Sequence, residues 1–136
     1  MDFSTLRFKE SPNQYLVCPD GLVTDAQPHA ASPEFPVSAD ALRRLWRDVA
    51  LRQPRVAMVR DDPDHNQCDF VQRSLIFRFP DTVTVQFIDL GGGRSTCAVY
   101  SRSKYGHGDL GVNRRRVQRW LGEVVARAAA MPALTG

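Results

Sequence analysis

Residues 82–102 constrain the fold more than any other stretch of the chain. Thr82 to Leu90 alternates, with Val83, Val85 and Phe87 on one side and Thr84 and Gln86 on the other. Ser95 to Arg102 alternates again, setting Ala98 and Tyr100 against Cys97 and Val99. A period of two puts successive side chains on opposite faces of a strand. Gly91-Gly92-Gly93 joins the two runs, and a glycine-rich turn between alternating runs marks a hairpin. A chain built round such a hairpin folds as an antiparallel sheet with an apolar face that other elements must cover.

The flanking segments supply those elements. Gln14 to Cys18 reads as a short strand stopped by Pro19-Asp20-Gly21. The stretch from Pro19 to Val37 holds four of the nine prolines, with Leu22, Val23 and Phe35 expected to pin it to the core. Ser38 is placed to cap a helix over 39–52, in which Leu42, Leu45, Trp46 and Val49 follow helical spacing and Pro54 stops the chain. Arg55 to Asp61 and Cys68 to Phe79 read as two more strands, joined by the polar turn D-D-P-D-H-N. Asn113 is placed to cap a second helix to about Ala130, with Val117, Leu121, Val124, Val125 and Ala128 as its apolar stripe and Trp120 beside it. The expectation is a single α+β domain over 1–136. It has two layers: an antiparallel sheet of four to five strands and two helices on one face, in the order β-α-β-β-β-β-α.

At 136 residues the chain can bury roughly two thirds of its unfolded surface, enough for a core without staples. The charged opening M-D-F-S-T-L-R-F-K-E has no apolar leader core, and no window has membrane-span length, so a cytoplasmic protein is expected. Cys18, Cys68 and Cys97 share no metal-ligand spacing and read as free thiols. Lys9 and Lys104 are the only lysines, so arginine supplies 16 of the 18 cations at a net charge of +3. The 15 acids are interspersed among them, which makes nucleic acid the least favoured partner. No cofactor or metal is expected.

Chemistry concentrates between Arg102 and Arg116. Helix N-termini carry partial positive charge and normally attract acids, yet Arg114, Arg115 and Arg116 stand in the first turn expected here. An anion held by backbone amides and an arginine fork accounts for that, with Arg102, Asp109, Asn113, Arg114 and Arg116 as ligand-binding candidates. Internal pairing of the arginines with Asp109 or other acids is the structural alternative. His107, Asp109 and Tyr105 are the candidate catalytic groups of a hydrolase-like reading, although no serine or cysteine nucleophile stands at a motif-like spacing. Asp61, Asp62, Asp64 and His65 lack the calcium-loop pattern and read as a solvated turn. Tyr15, Tyr100, Tyr105, Trp46 and Trp120 suit base stacking, but the helical stripes account more simply for both tryptophans.

Four blocks carry a likeness to a known family. They are S-P-N at 11–13, P-E-F-P at 33–36, R-S-L-I-F-R-F-P-D-T-V-T-V-Q-F at 73–87, and S-R-S-K-Y-G-H-G-D-L-G-V-N-R-R-R-V at 101–117. In these the chain resembles the domain-of-unknown-function family fourteen ninety-nine, over about residues 9–127. The resemblance implies an α+β fold and no established activity. The leading expectation is a non-catalytic binding domain with an anion site at 102–116, taking a small anionic ligand or a protein partner. The alternatives are a small hydrolase-like enzyme using His107 and Asp109, nucleic-acid binding, and a purely structural role for the 101–117 block.

Overall fold

The computed structural model describes residues 1–8, 13–103 and 111–131. Six strands form one sheet: β1 (Gln14–Cys18), β2 (Ala30–Ala31), β3 (Val56–Asp62), β4 (Gln67–Arg73), β5 (Pro80–Gly91) and β6 (Arg94–Ser103). Two helices, α1 (Ala39–Arg52) and α2 (Val112–Ala130), complete the fold. The strand order is β2-β1-β6-β5-β4-β3. The α+β class holds, but the sheet has six strands and is mixed, because the two-residue β2 runs parallel to β1. All other pairings are antiparallel. The central hairpin closes through Gly92 and Gly93, at φ 63° and 75°. Both loop residues at positive φ match the twist of the flanking strands, a conformation that a Cβ disfavours.

One face of the sheet carries Tyr15, Val17, Cys68, Phe70, Val83, Val85, Phe87, Cys97 and Val99, and packs on α1 and α2. Trp46 of α1 and Trp120 of α2 are both buried there, with Phe70 edge-on to Trp120 at 6.5 Å. Asp48 ties the helices together, bonding Arg127 of α2 and lying 3.3 Å from Arg52. On the other face Leu16, Cys18, Ala98 and Tyr100 pack under Phe3, Leu6, Phe8, Leu22 and Val23. The proline-rich segment is therefore anchored at several points. Phe35 also exchanges backbone bonds with Ser95, at 2.7 and 3.1 Å. Among the described residues no helix is long and apolar enough to cross a membrane.

Three expectations are corrected. The run from Cys68 to Phe79 is not one strand: β4 stops at Arg73, and residues 74–79 form the connection to β5. Asn113 does not cap α2; Gly111 holds the N-cap position at φ 86°, and Asn113 is buried within the first turn. The buried stripe of α2 is Asn113, Val117, Trp120, Val124 and Ala128, so Trp120 lies within it; Leu121 packs partly buried beside it, and Val125 is exposed. Ser38 caps α1 as expected, accepting from the Ala41 amide at 3.1 Å.

His29 fastens the loop to β1. Its Nδ1 accepts the Leu16 amide at 2.9 Å, and its own amide donates to the Leu16 carbonyl at 2.9 Å. The ring, only partly covered, lies between Phe8 and Tyr15, with centroids 5.0 Å from each. Desolvation lowers its pKa, and an Nδ1 that accepts an amide must be unprotonated. A group with a depressed folded pKa stabilises above its unfolded value and loses that contribution as pH falls through the folded one. Stability is therefore expected to decline as pH drops below about 6.5, the unperturbed imidazole value. His29→Asn keeps an acceptor near the Nδ1 position without titrating there. In thermal melts across pH it should flatten this dependence, and an unchanged profile would exclude His29 as the cause.

Candidate functional site

The end of the sheet where β4 meets β5 lies against the N-terminal turns of α2, and a polar network joins them. Arg116 donates from Nε to Gln72 at 2.7 Å, from one terminal nitrogen to Ser101 and Asn113 at 3.1 and 2.7 Å, and from the other to Asp81 at 2.6 Å. The Arg116 and Asp81 side chains are only 8% and 13% exposed. Asn113 accepts from the Ser101 hydroxyl at 2.7 Å and donates to Ser103 Oγ and the Asn13 carbonyl, both at 3.0 Å. All three guanidinium nitrogens thus meet internal acceptors, as a buried cation requires.

Beside this network opens a cleft of about 430 Å³. Leu75, Phe79 and Val112 give it apolar walls; Arg55, Arg73 and Arg116 give it cations. A smaller hollow of about 180 Å³ continues round α2, where Arg115 and Arg119 stand next to Arg55 and Gln72. Among the described lining residues of both hollows the one carboxylate is Asp81, which Arg116 already occupies. Arg55 Nε donates to the Arg73 carbonyl at 2.9 Å, and Arg73 donates to the Arg78 carbonyl at 3.1 Å. These bonds position two cations at the mouth of the cleft without neutralising them.

The residues expected to bind ligand do not converge. Asn113 and Arg116 meet inside the network. Arg114 is exposed on the first turn of α2. Strand alternation turns Arg102 to the face opposite Ser101 and Ser103. There its guanidinium donates to Thr84 at 2.9 Å, lies 4.9 Å from the Tyr100 ring, and has its pKa lowered by desolvation. Tyr105, His107 and Asp109 lie outside the described residues. Sequence reasoning does not single out Arg55, Gln72, Arg73, Leu75, Phe79 or Asp81 as site residues. For Arg73, Leu75 and Phe79 the signal is the run R-S-L-I-F-R-F-P, where strand alternation breaks between two arginines; Arg55, Gln72 and Asp81 carry no local signal.

His65 Nδ1 lies 2.9 Å from Asp62 beside a hollow lined by Arg60, Gln67 and Gln86. No serine, threonine or cysteine lines that hollow among the described residues. Burial pushes the Cys97 thiol up to about 11 and raises those of Cys18 and Cys68, the opposite of nucleophile activation. Among the described residues no three His, Cys, Asp or Glu side chains gather as metal ligands.

The chain is similar to several solved structures. The di-domain ARO/CYC BexL from the BE-7585A biosynthetic pathway matches at a TM-score of 0.51 and 15% identity, over 70% of this chain and 44% of that one. The chain therefore spans less than half the length of BexL, and the likeness is one of fold. Zhui aromatase/cyclase from Streptomyces sp. R1128 matches at 0.38 and 10% identity, over 72% of this chain and 90% of its own. TTHA0849 from Thermus thermophilus matches at 0.41 and 10% identity, over 86% and 97%. No curated protein matches the sequence. The chain belongs to the family described as protein of unknown function, DUF1499, which matches residues 7–124.

Proposed function

We propose that this chain is a non-catalytic binding domain whose site is the cleft between the 74–79 connection and the first turns of α2. It takes a ligand, or a segment of a partner, that carries an anionic group on an apolar body. The observation that supports this reading is the make-up of the cleft. Leu75, Phe79 and Val112 form its apolar walls, Arg55 and Arg73 stand at the mouth, and its carboxylate is already consumed by Arg116. Pockets of this kind bury the body of a ligand against apolar walls and orient it with few polar groups. Guanidinium forks suit carboxylate and phosphate oxygens. Arg119, which lines the adjoining hollow, extends the cationic side. The anion end thereby stays beside the start of α2 but moves from Arg102 toward Arg55.

Thermal melts with dodecyl phosphate, dodecanoate and inorganic phosphate test the reading. The two amphiphiles are expected to raise the melting temperature below their micellar concentration, and inorganic phosphate to do so far less. Leu75→Ser and Arg55→Gln should each weaken the response roughly tenfold, the effect of losing one apolar or one charge-assisted contact. Equal responses in wild type and both variants, or none in wild type, would remove the cleft as a site.

A further inference from the structure

The 74–79 connection exposes more apolar surface than the fold requires. Leu75, Ile76 and Phe77 are 70%, 79% and 72% exposed and Phe79 is 43% exposed, while Phe70 and Val83 on the adjoining strands are fully buried. Consecutive exposed apolar residues are avoided in soluble folds unless a function uses them, and exposed apolar patches mark contact sites. The loop is also held in place. The Ser74 amide donates to the Phe79 carbonyl and the Phe79 amide to Ser74 Oγ, both at 3.0 Å. Arg73 clasps the Arg78 carbonyl, Arg78 sits at φ 59°, and the Phe77 and Phe79 rings stack at 5.4 Å. Internal bonds close the base of the loop and leave its side chains outside.

Among the described residues, the charged ones lining the hollows beside this tip are mostly cationic. Arg73 and Arg78 lie within or beside it, and Arg55, Arg115 and Arg119 line the adjoining hollows. Asp81, the nearest acid along the chain, is paired with Arg116. We propose that the tip is a bilayer anchor: Leu75, Ile76 and Phe77 enter the interfacial layer of an anionic membrane while the surrounding arginines lie among its head groups. An exposed apolar loop with arginines beside it is complementary to a plane of anionic head groups over hydrocarbon. Guanidinium groups on aliphatic stems suit that boundary. Nucleic acid would meet the cations but leave the apolar tip in water. A partner protein groove is the competing occupant.

The experiment is co-sedimentation with vesicles of phosphatidylglycerol and phosphatidylcholine in equal parts, and with phosphatidylcholine alone. The chain should partition onto the mixed vesicles at least roughly tenfold more strongly, and less so as salt rises from about 50 mM to about 500 mM. Ile76→Ser combined with Phe77→Ser should lower that partition about tenfold or more, with the melting temperature unchanged because both side chains are exposed. In a Phe77→Trp variant the emission of the added indole should shift to the blue on mixed vesicles, against the parent protein as baseline. No vesicle binding, binding that survives the double serine change, or an unshifted indole on bound protein would overturn the anchor. Self-association that the double change abolishes, without vesicle binding, would overturn it too and assign the tip to a protein contact.

Discussion

Arg116→Met is expected to lower stability by about 3–5 kcal/mol, the usual cost of breaking a buried ion pair by removing one partner. Asp81, 13% exposed, would lose the cation 2.6 Å away, and Gln72, Ser101 and Asn113 would each lose a donor. Arg116→Met combined with Asp81→Leu should recover much of the loss, since no uncompensated carboxylate remains. Arg116→Lys should recover little, because one ammonium cannot satisfy acceptors spread round a planar fork. Urea denaturation with a common slope measures all three. A loss under about 1 kcal/mol in the single variant would mean that the pair behaves as a solvated surface bridge. The anion-binding role expected of Arg116 would then regain ground, since a guanidinium dispensable for folding is available to a ligand.

The parts of the fold legible in the sequence are those whose signal is local. Ser38 and Pro54 bracket α1, and Leu42, Trp46 and Val49 mark its buried side, so the helix falls over Ala39–Arg52 as expected. The hairpin of β5 and β6 carries alternation on both arms and glycines at the turn, and the strands extend only a residue or two past the expected limits. Strand β2 has no local signal. Ala30–Ala31 pairs with β1 because His29 and Ser32 donate to the Leu16 and Cys18 carbonyls, contacts made only once the loop has folded back. Leu75 to Phe79 misleads for the opposite reason. Apolar character reads as strand by default, and nothing in spacing distinguishes residues bound for a core from residues held outside it. The charged cluster at 114–116 is visible, but Gln72 and Asp81, the partners of Arg116, lie 44 and 35 residues away, beyond any local pattern.

Asn113 shows the same limit, and its replacement carries the second large expected effect. By local chemistry an asparagine before an apolar-periodic run is a cap. Here the tertiary demand is stronger. Ser101 and Ser103 project from β6 toward α2, the Asn13 carbonyl closes the third side, and one carboxamide serves all of them together with Arg116. Both acceptor positions of Oδ1 and both hydrogens of Nδ2 are used, the full capacity of the side chain. Asn113→Ala is expected to cost about 3 kcal/mol, since each buried group left unsatisfied costs about 1–3 kcal/mol and the Ser101 hydroxyl can still accept from Arg116. Asn113→Asp should fall between, because a carboxylate keeps both acceptances and cannot donate to the Asn13 carbonyl. Hydrogen exchange would separate this loss from ordinary core destabilisation. Protection should fall first at the amide of Ser103, which donates to the same Asn13 carbonyl, and in the first turn of α2, before the β4–β5 pairing opens. A loss under about 1 kcal/mol with uniform exchange would mean that apolar packing of Val117 and Trp120 alone sets the start of α2. The arginines at the cleft would then owe their placement to the core beneath them rather than to the polar network beside it.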